Sequence, residues 1–176
     1  MQADYVIVGA GSAGCVLANR LTEDPATSVI LIEAGGRDLN PLIHIPAGYM
    51  KLLDHPTLTW GYKAEADEGI DGRIINYPRG KVLGGSSSIN GMIYIRGQPE
   101  DFDHWSQLGN RGWSWDDVLP YFKKAENWEG KADDVHGKNG PLFTSPGADQ
   151  PLLCQAAIEA GQQIGLEYRA DLYQSP

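Results

Sequence analysis

Positive charge is scarce in this chain. Its 176 residues carry 14 lysines and arginines against 23 aspartates and glutamates, a net charge of −9. A nucleic-acid surface needs clustered cations to displace counterions, so no nucleic-acid partner is expected. A bound phosphate is not excluded, because backbone amides at a helix start hold one without net charge. Cysteine is scarcer still. Cys15 and Cys154 stand alone, without Cys-x-x-Cys spacing. Isolated cysteines of this kind are expected to be free and buried. No apolar run approaches the roughly 18 residues of a spanning helix, and no charged leader with a cleavage site precedes the first strand. These absences predict a soluble, cytoplasmic protein, with a peripheral membrane association left open. His44, His55, His104 and His136 form no i,i+4 pair and have no cysteine partner. No metal site is expected from them.

Glycine, by contrast, is abundant and clustered. Tyr5-Val6-Ile7-Val8 reads as a buried parallel strand. Gly9-Ala10-Gly11-Ser12-Ala13-Gly14 follows at once, then helical sequence up to Asp24-Pro25, where proline ends it. Val29–Ile32 is a second apolar strand and closes on Glu33. Strand, glycine turn, helix, strand and acid make one βαβ unit over residues 3–35. In such a unit Gly9 permits the turn, Gly11 lets backbone approach a pyrophosphate, and Gly14 lets the helix pack close to the strand. Ser12 belongs to the same turn, and the helix start offers free amides to phosphate oxygens. Glu33 is placed to accept ribose hydroxyls and to repel a 2′-phosphate, which disfavours NADP. This turn reads only the ADP half that NAD and FAD share.

A second small-residue turn, Gly84-Gly85-Ser86-Ser87-Ser88, leads into Ile89-Asn90-Gly91-Met92-Ile93-Tyr94, which we expect to be helical. Small side chains let a ligand touch backbone, and successive amides form an anion nest. Two backbone-exposing turns suit a long cofactor, and FAD fits better than NAD. Elsewhere Arg73–Tyr77 is expected to be a strand, and a short helix is expected near Met50–Leu53. Glu100–Leu108, Trp115–Ala125 and Leu152–Ile164 are expected to be helices, the second kinked or delayed by Pro120. Glu129–Asn139 reads as polar loop. Tyr173-Gln174-Ser175-Pro176 caps no element, and two parallel strands cannot make a covered sheet alone. Either later segments supply further strands, or the chain is part of a longer protein.

The quoted motifs carry a family resemblance. DYVIVGAGSAGCVLANRLTEDP, VILIEAGG, RGKVLGGSSSINGMIYIRGQPEDFDHW and NGPLFTSP resemble the N-terminal part of the glucose–methanol–choline (GMC) oxidoreductases. Within the family the chain resembles bacterial choline dehydrogenase-like alcohol dehydrogenases. The resemblance implies an α/β, Rossmann-like FAD-binding domain, present here only in part, with a flavin-contacting segment at residues 79–103. It implies oxidation of a small alcohol to a carbonyl by hydride transfer to FAD, with oxygen or a quinone as electron acceptor. Carried over by motif, Gly9, Gly11, Ser12 and Gly14 meet the pyrophosphate, and Glu33 the ribose. Val82, Gly85, Ser86, Asn90, Gly91, Met92 and Ile93 line the flavin and its ribityl chain. Some family members attach FAD through a histidine just before the signature asparagine. Ile89 stands there in this chain, so FAD is expected to be held non-covalently. The family's catalytic histidine and its His or Asn partner lie far toward the C-terminus of a longer chain, and no residue here is carried over as catalytic. The remaining FAD-domain segments and the substrate domain are expected to lie outside these residues. Ser12 and Ser86–Ser88 lack the G-x-S-x-G context of a nucleophile elbow. Trp60, Tyr62 and Trp105 read as core or rim packing rather than a cage for a quaternary ammonium.

Overall fold

A computed structural model describes residues 2–147, 151–171 and 173; the chain end at Gln174–Pro176 lies outside the described residues. The chain divides after Ile93 into two compact units.

In the first unit, β1 (Tyr5–Val8) and β2 (Val29–Ile32) pair in parallel, Tyr5 opposite Val29 through Val8 opposite Ile32. Helix α1 (Ser12–Leu21) makes the crossover between them. Only Ile7 of β1 is buried, and Val8 is 83% exposed. The expectation of a buried strand is corrected here. Burying both faces needs flanking strands and two helix layers, and this unit supplies two strands and one helix of that arrangement. The unit's core lies elsewhere, where Leu52, Leu58, Val82 and Ile89 pack together with Leu42 and Ile43 against them. Helix α2 (Tyr49–Leu52) forms close to the expected place and contributes Leu52.

Arg73–Tyr77 is not a strand. It belongs to an irregular antiparallel ribbon in which Tyr77 N–H bonds Tyr62 O (2.9 Å), Ala64 N–H bonds Ile75 O (2.8 Å) and Trp60 N–H bonds Arg79 O (2.9 Å). Gly61 at positive φ and Pro78, which has no N–H, interrupt the ladder. The serine turn is a short 3-10 helix, Gly85–Ser88. The sequence after it is extended rather than helical, a second correction. Gly91 and the left-handed Met92 (φ 58°) end any helix there, and Asn90 Oδ1 accepts the Met92 N–H at 3.0 Å to fix the turn.

In the second unit, α3 (Pro99–Gln107) starts on Pro99, and Asp101 accepts the Gln98 N–H at 2.8 Å. Helix α4 (Trp115–Ala125) is capped by Ser114, with Asp117 reaching back to the Ser114 N–H. That capping box sets the start at Trp115, and the helix continues through Pro120 without delay. Phe102 of α3 packs with Trp105, Trp115 and Phe122 at ring separations of 5.5, 5.7 and 5.6 Å. Two short parallel strands that sequence reading missed, β3 (Glu126–Trp128) and β4 (Leu142–Thr144), flank the polar loop. Helix α5 (Leu152–Gln163) forms as expected, but no residue of it is buried and Leu153 is 80% exposed. Cys154 on it is exposed and Cys15 half-buried, so both cysteines are free but neither is buried as expected. Among the described residues no helix is long and apolar enough to cross a membrane.

Candidate functional site

Three glycine-containing turns of the first unit converge. The β1–α1 turn and the serine turn are joined where Gly84 N–H donates to Ala10 O at 2.8 Å. Gly85 sits so close that a Cβ on it would lie 2.9 Å from the Gly11 Cα. The turn after β2 joins them, with Gly36 bridged to Val82 and Leu83 N–H donating to Gly36 O at 2.8 Å. The second turn is thus clamped on the first by backbone, and the lack of side chains allows that approach.

The glycines of the first turn differ in why they are glycines. At Gly14 a Cβ would run into the carbonyl oxygen of Gly9, so helix and turn touch backbone to backbone there. This is the close packing expected of that position. At Gly11 φ is −78° and ψ is −170°, ordinary extended backbone. A Cβ there would meet no protein atom within 4 Å. Neither strain nor packing within this chain requires glycine at Gly11. It is the N-cap of α1, no side chain caps that helix, and Ser12 beside it is exposed. The uncapped first-turn amides and the positive end of the dipole therefore face open space that an anion fits.

Glu33 joins two of these turns. Its Oε2 accepts the Ala10 N–H at 2.7 Å and its Oε1 the Gly35 N–H at 2.8 Å. Each carboxylate oxygen keeps a further lone pair for a hydroxyl. Of the second group, Ser86, Asn90, Gly91, Met92 and Ile93 are exposed, and Gly85 is half-buried. Val82 is wholly buried in the core, so its side chain seats the turn from behind. Ile89 is also buried, at 2% exposure. Ser86 Oγ accepts the Gly80 N–H at 3.1 Å, while Ser87 and Ser88 donate to Gly84 O and Leu83 O. All three serine hydroxyls help shape the turn, Ser86 as an acceptor and Ser87 and Ser88 as donors. The Trp60 and Tyr62 rings stack at 5.9 Å, and the Lys81 ammonium lies over Trp60 at 4.8 Å. Trp105 packs with Phe102 and Trp113 in the other unit.

Sequence reading missed a buried ion network in the second unit. Arg96 Nη2 meets Glu126 Oε2 at 2.9 Å with both side chains fully buried. The same carboxylate takes the Gly137 N–H at 2.9 Å, the Thr144 hydroxyl at 3.0 Å and His136 Nδ1 at 3.2 Å. Burial pushes the Glu126 carboxyl up, but the Gly137 amide, Thr144, Arg96 and His136 together hold it below its ordinary 4.5. His136 Nε2 meets Asp171 Oδ2 at 2.8 Å. Asp133, His136 and Asp171 bring ligating atoms within 4.8 Å of one another. Within that group His136 and Asp171 are in direct hydrogen-bond contact, which extends the ion network from Glu126 to Asp171.

A parallel βαβ unit with an uncapped glycine turn and an acid closing its second strand defines a dinucleotide-binding protein of Rossmann type. The chain matches the family described as GMC oxidoreductase over residues 3–174 and belongs to it. The oxygen-dependent choline dehydrogenase of Brucella ovis is 52% identical over 171 residues, 97% of this chain and 31% of that protein. The same enzyme of Sinorhizobium fredii is 50% identical over equal shares. Among solved structures, pyridoxine 4-oxidase from Mesorbium loti superposes with a TM-score of 0.88 at 43% identity, over 94% of this chain and 33% of that one. Formate oxidase gives 0.87 at 30% identity, over 97% and 32%. The chain spans about a third of the length of the relatives it matches.

Proposed function

We propose that this chain supplies the FAD-binding elements of an FAD-dependent oxidoreductase that converts a small alcohol to a carbonyl, of choline dehydrogenase type. The observation that carries the reading is Gly11. Nothing among the described residues requires a glycine there, and a pyrophosphate lying on the α1 amides would. When bound, FAD supplies the acceptor for the hydride leaving the alcohol carbon. The α1 amides and the Gly9–Gly14 backbone hold the diphosphate. Glu33 braces the first turn through Ala10 and offers its remaining lone pairs to the ribose. Gly85, Ser86 and the exposed Asn90–Ile93 stretch present backbone and the Asn90 amide to the flavin half. Asn90 Oδ1 accepts the Met92 N–H, which leaves both NH2 hydrogens to bond a flavin oxygen or nitrogen.

The alcohol oxidised by the whole protein is a small one, choline being suggested by the relatives' names, and those names favour oxygen over a quinone as acceptor. Removal of the hydroxyl proton needs a base within hydrogen-bond reach. His136 is locked in the ion network, and His44 Nε2 lies 2.6 Å from Asp38 O. We place the base in the part of the relatives' length that this chain does not span, so these residues alone bind flavin without turnover. FAD is held non-covalently, because Ile89 has no nucleophilic atom and is buried in the core. The test is acid precipitation of the flavin-loaded protein. Flavin in the supernatant is expected, and colour that stays with the pellet overturns the attachment reading. Anaerobic bleaching by choline or a panel of primary alcohols is expected in the whole protein and not in residues 1–176.

A further inference from the structure

Both ring nitrogens of His136 face a carboxylate. Nδ1 lies 3.2 Å from Glu126 Oε2 and Nε2 lies 2.8 Å from Asp171 Oδ2. An ionised carboxylate offers lone pairs only, so each of these contacts needs an N–H from the ring. A neutral imidazole has one N–H and would turn a lone pair on the other carboxylate. Glu126 is ionised, since the Gly137 amide, the Thr144 hydroxyl and Arg96 all donate to it. Asp171 is partly open to solvent, with a side chain 22% exposed, and its Oδ1 accepts the Tyr173 N–H at 2.9 Å. Both Asp171 oxygens stand as acceptors, Oδ1 toward the Tyr173 N–H and Oδ2 toward the ring.

We propose that His136 is held as an imidazolium between Glu126 and Asp171. It completes a clasp of alternating charge, Arg96–Glu126–His136–Asp171, which fastens the segment at Asp171 to β3 and opens when the ring loses its proton. The imidazolium then sets a second cation beside Arg96 among the carboxylates of Glu126, Asp171 and Asp133, the last of which comes within 4.8 Å of the ring. Removing the ring proton takes that cation away and sets a lone pair against an anion.

The other groups facing His136 are consistent with this state. Its own N–H and that of Val135 are taken by Asp133 Oδ1, at 2.6 and 2.8 Å. Lys123 Nζ bonds the Asp133 and Asp134 carbonyls. The Trp128 ring stacks on the imidazole at 4.5 Å and 14°, a placement that favours a cationic ring. The Tyr173 ring lies 5.5 Å from it and also lies 4.7 Å from the Arg96 guanidinium carbon. The clasp is closed while both ring nitrogens carry a proton.

The test is nitrogen-15 NMR of the histidine-labelled whole protein at neutral pH, with His136 assigned by its loss in His136→Gln. Two protonated ring nitrogens are expected. In Asp171→Asn one ring N–H should be lost, leaving Nδ1–H on Glu126. Amide exchange of the Asp171 segment, corrected for intrinsic rate, should quicken about tenfold or more, as local opening becomes easier. Asp171→Glu should keep both N–H groups. A singly protonated ring in the unmodified protein overturns the proposal, and so does a doubly protonated one in Asp171→Asn. If Asp171→Asn does not fold, the spectrum of the unmodified protein decides alone.

Discussion

The first unit is organised by missing side chains and the second by buried charges. Around Gly11, Gly14 and Gly85 the backbone of one turn lies against the backbone of another. Around Arg96, Glu126 and His136 the chain is held by ions that have left water. The two devices fail differently. A glycine turn tolerates loss of its ligand, because its shape is set by sterics and backbone hydrogen bonds. A buried ion pair tolerates no loss of a partner, because the ion left behind keeps its desolvation cost. Substitutions can therefore separate structural from cofactor-binding positions in the first unit, while nearly every change in the second unit's network is structural.

The largest effect is expected at the second unit's network. Glu126→Ala leaves the buried Arg96 guanidinium without its anion, and Arg96 Nε already has no partner among the described residues. A loss of about 3–5 kcal/mol in urea unfolding is expected. A loss under about 1 kcal/mol would mean that water already reaches this site. Next is Gly14→Ala, where the methyl group collides with the Gly9 carbonyl. It should cost about 1–3 kcal/mol and, by displacing α1, weaken flavin binding too. Denaturation with and without FAD separates the two effects. Smallest is the acid response. The Glu126 carboxyl sits below its ordinary 4.5, so its contribution is present above that value and is lost as pH falls below it. Glu126→Gln should flatten this part of the stability curve, and an unchanged acid limb would contradict the assignment.

The same contrast explains what could be read from the sequence. The βαβ unit was legible because its rules are local: apolar runs of strand length, glycines at fixed offsets and an acid at a strand end. The role of Gly14 followed from the same spacing. The convergence of the Gly35–Gly36 and Gly84–Gly85 turns on Ala10 and Gly11 was only half legible. A second backbone-exposing turn was visible, but not its hydrogen bond to the first. The helix expected after Ser88 failed because Asn90 fixes an Asx-type turn and Met92 takes a left-handed conformation. Neither feature shows in an apolar pattern. The ion network was illegible. Its members are 10, 30 and 35 residues apart, and β3 and β4, which bring Glu126 and Thr144 together, are three residues long each. No periodicity shows at that length. His136 was set aside with the other histidines for want of a metal spacing, and only burial distinguishes it from them. The exposed apolar positions of β1 were read as buried because period and composition report what a segment can bury, not what covers it.

The central claim is that the space over Gly11 belongs to a cofactor diphosphate. Gly11→Ala tests it most directly, since a Cβ there meets no atom of the described residues and the backbone is already in a region alanine accepts. The measurement is the amount of flavin the purified whole protein retains after desalting, alongside its urea unfolding midpoint in the FAD-free form. The account predicts an unfolding free energy within about 0.5 kcal/mol of the unmodified protein, with flavin retention falling at least about tenfold, a binding loss of about 1.4 kcal/mol. Stoichiometric flavin in a Gly11→Ala protein of unchanged stability would contradict it.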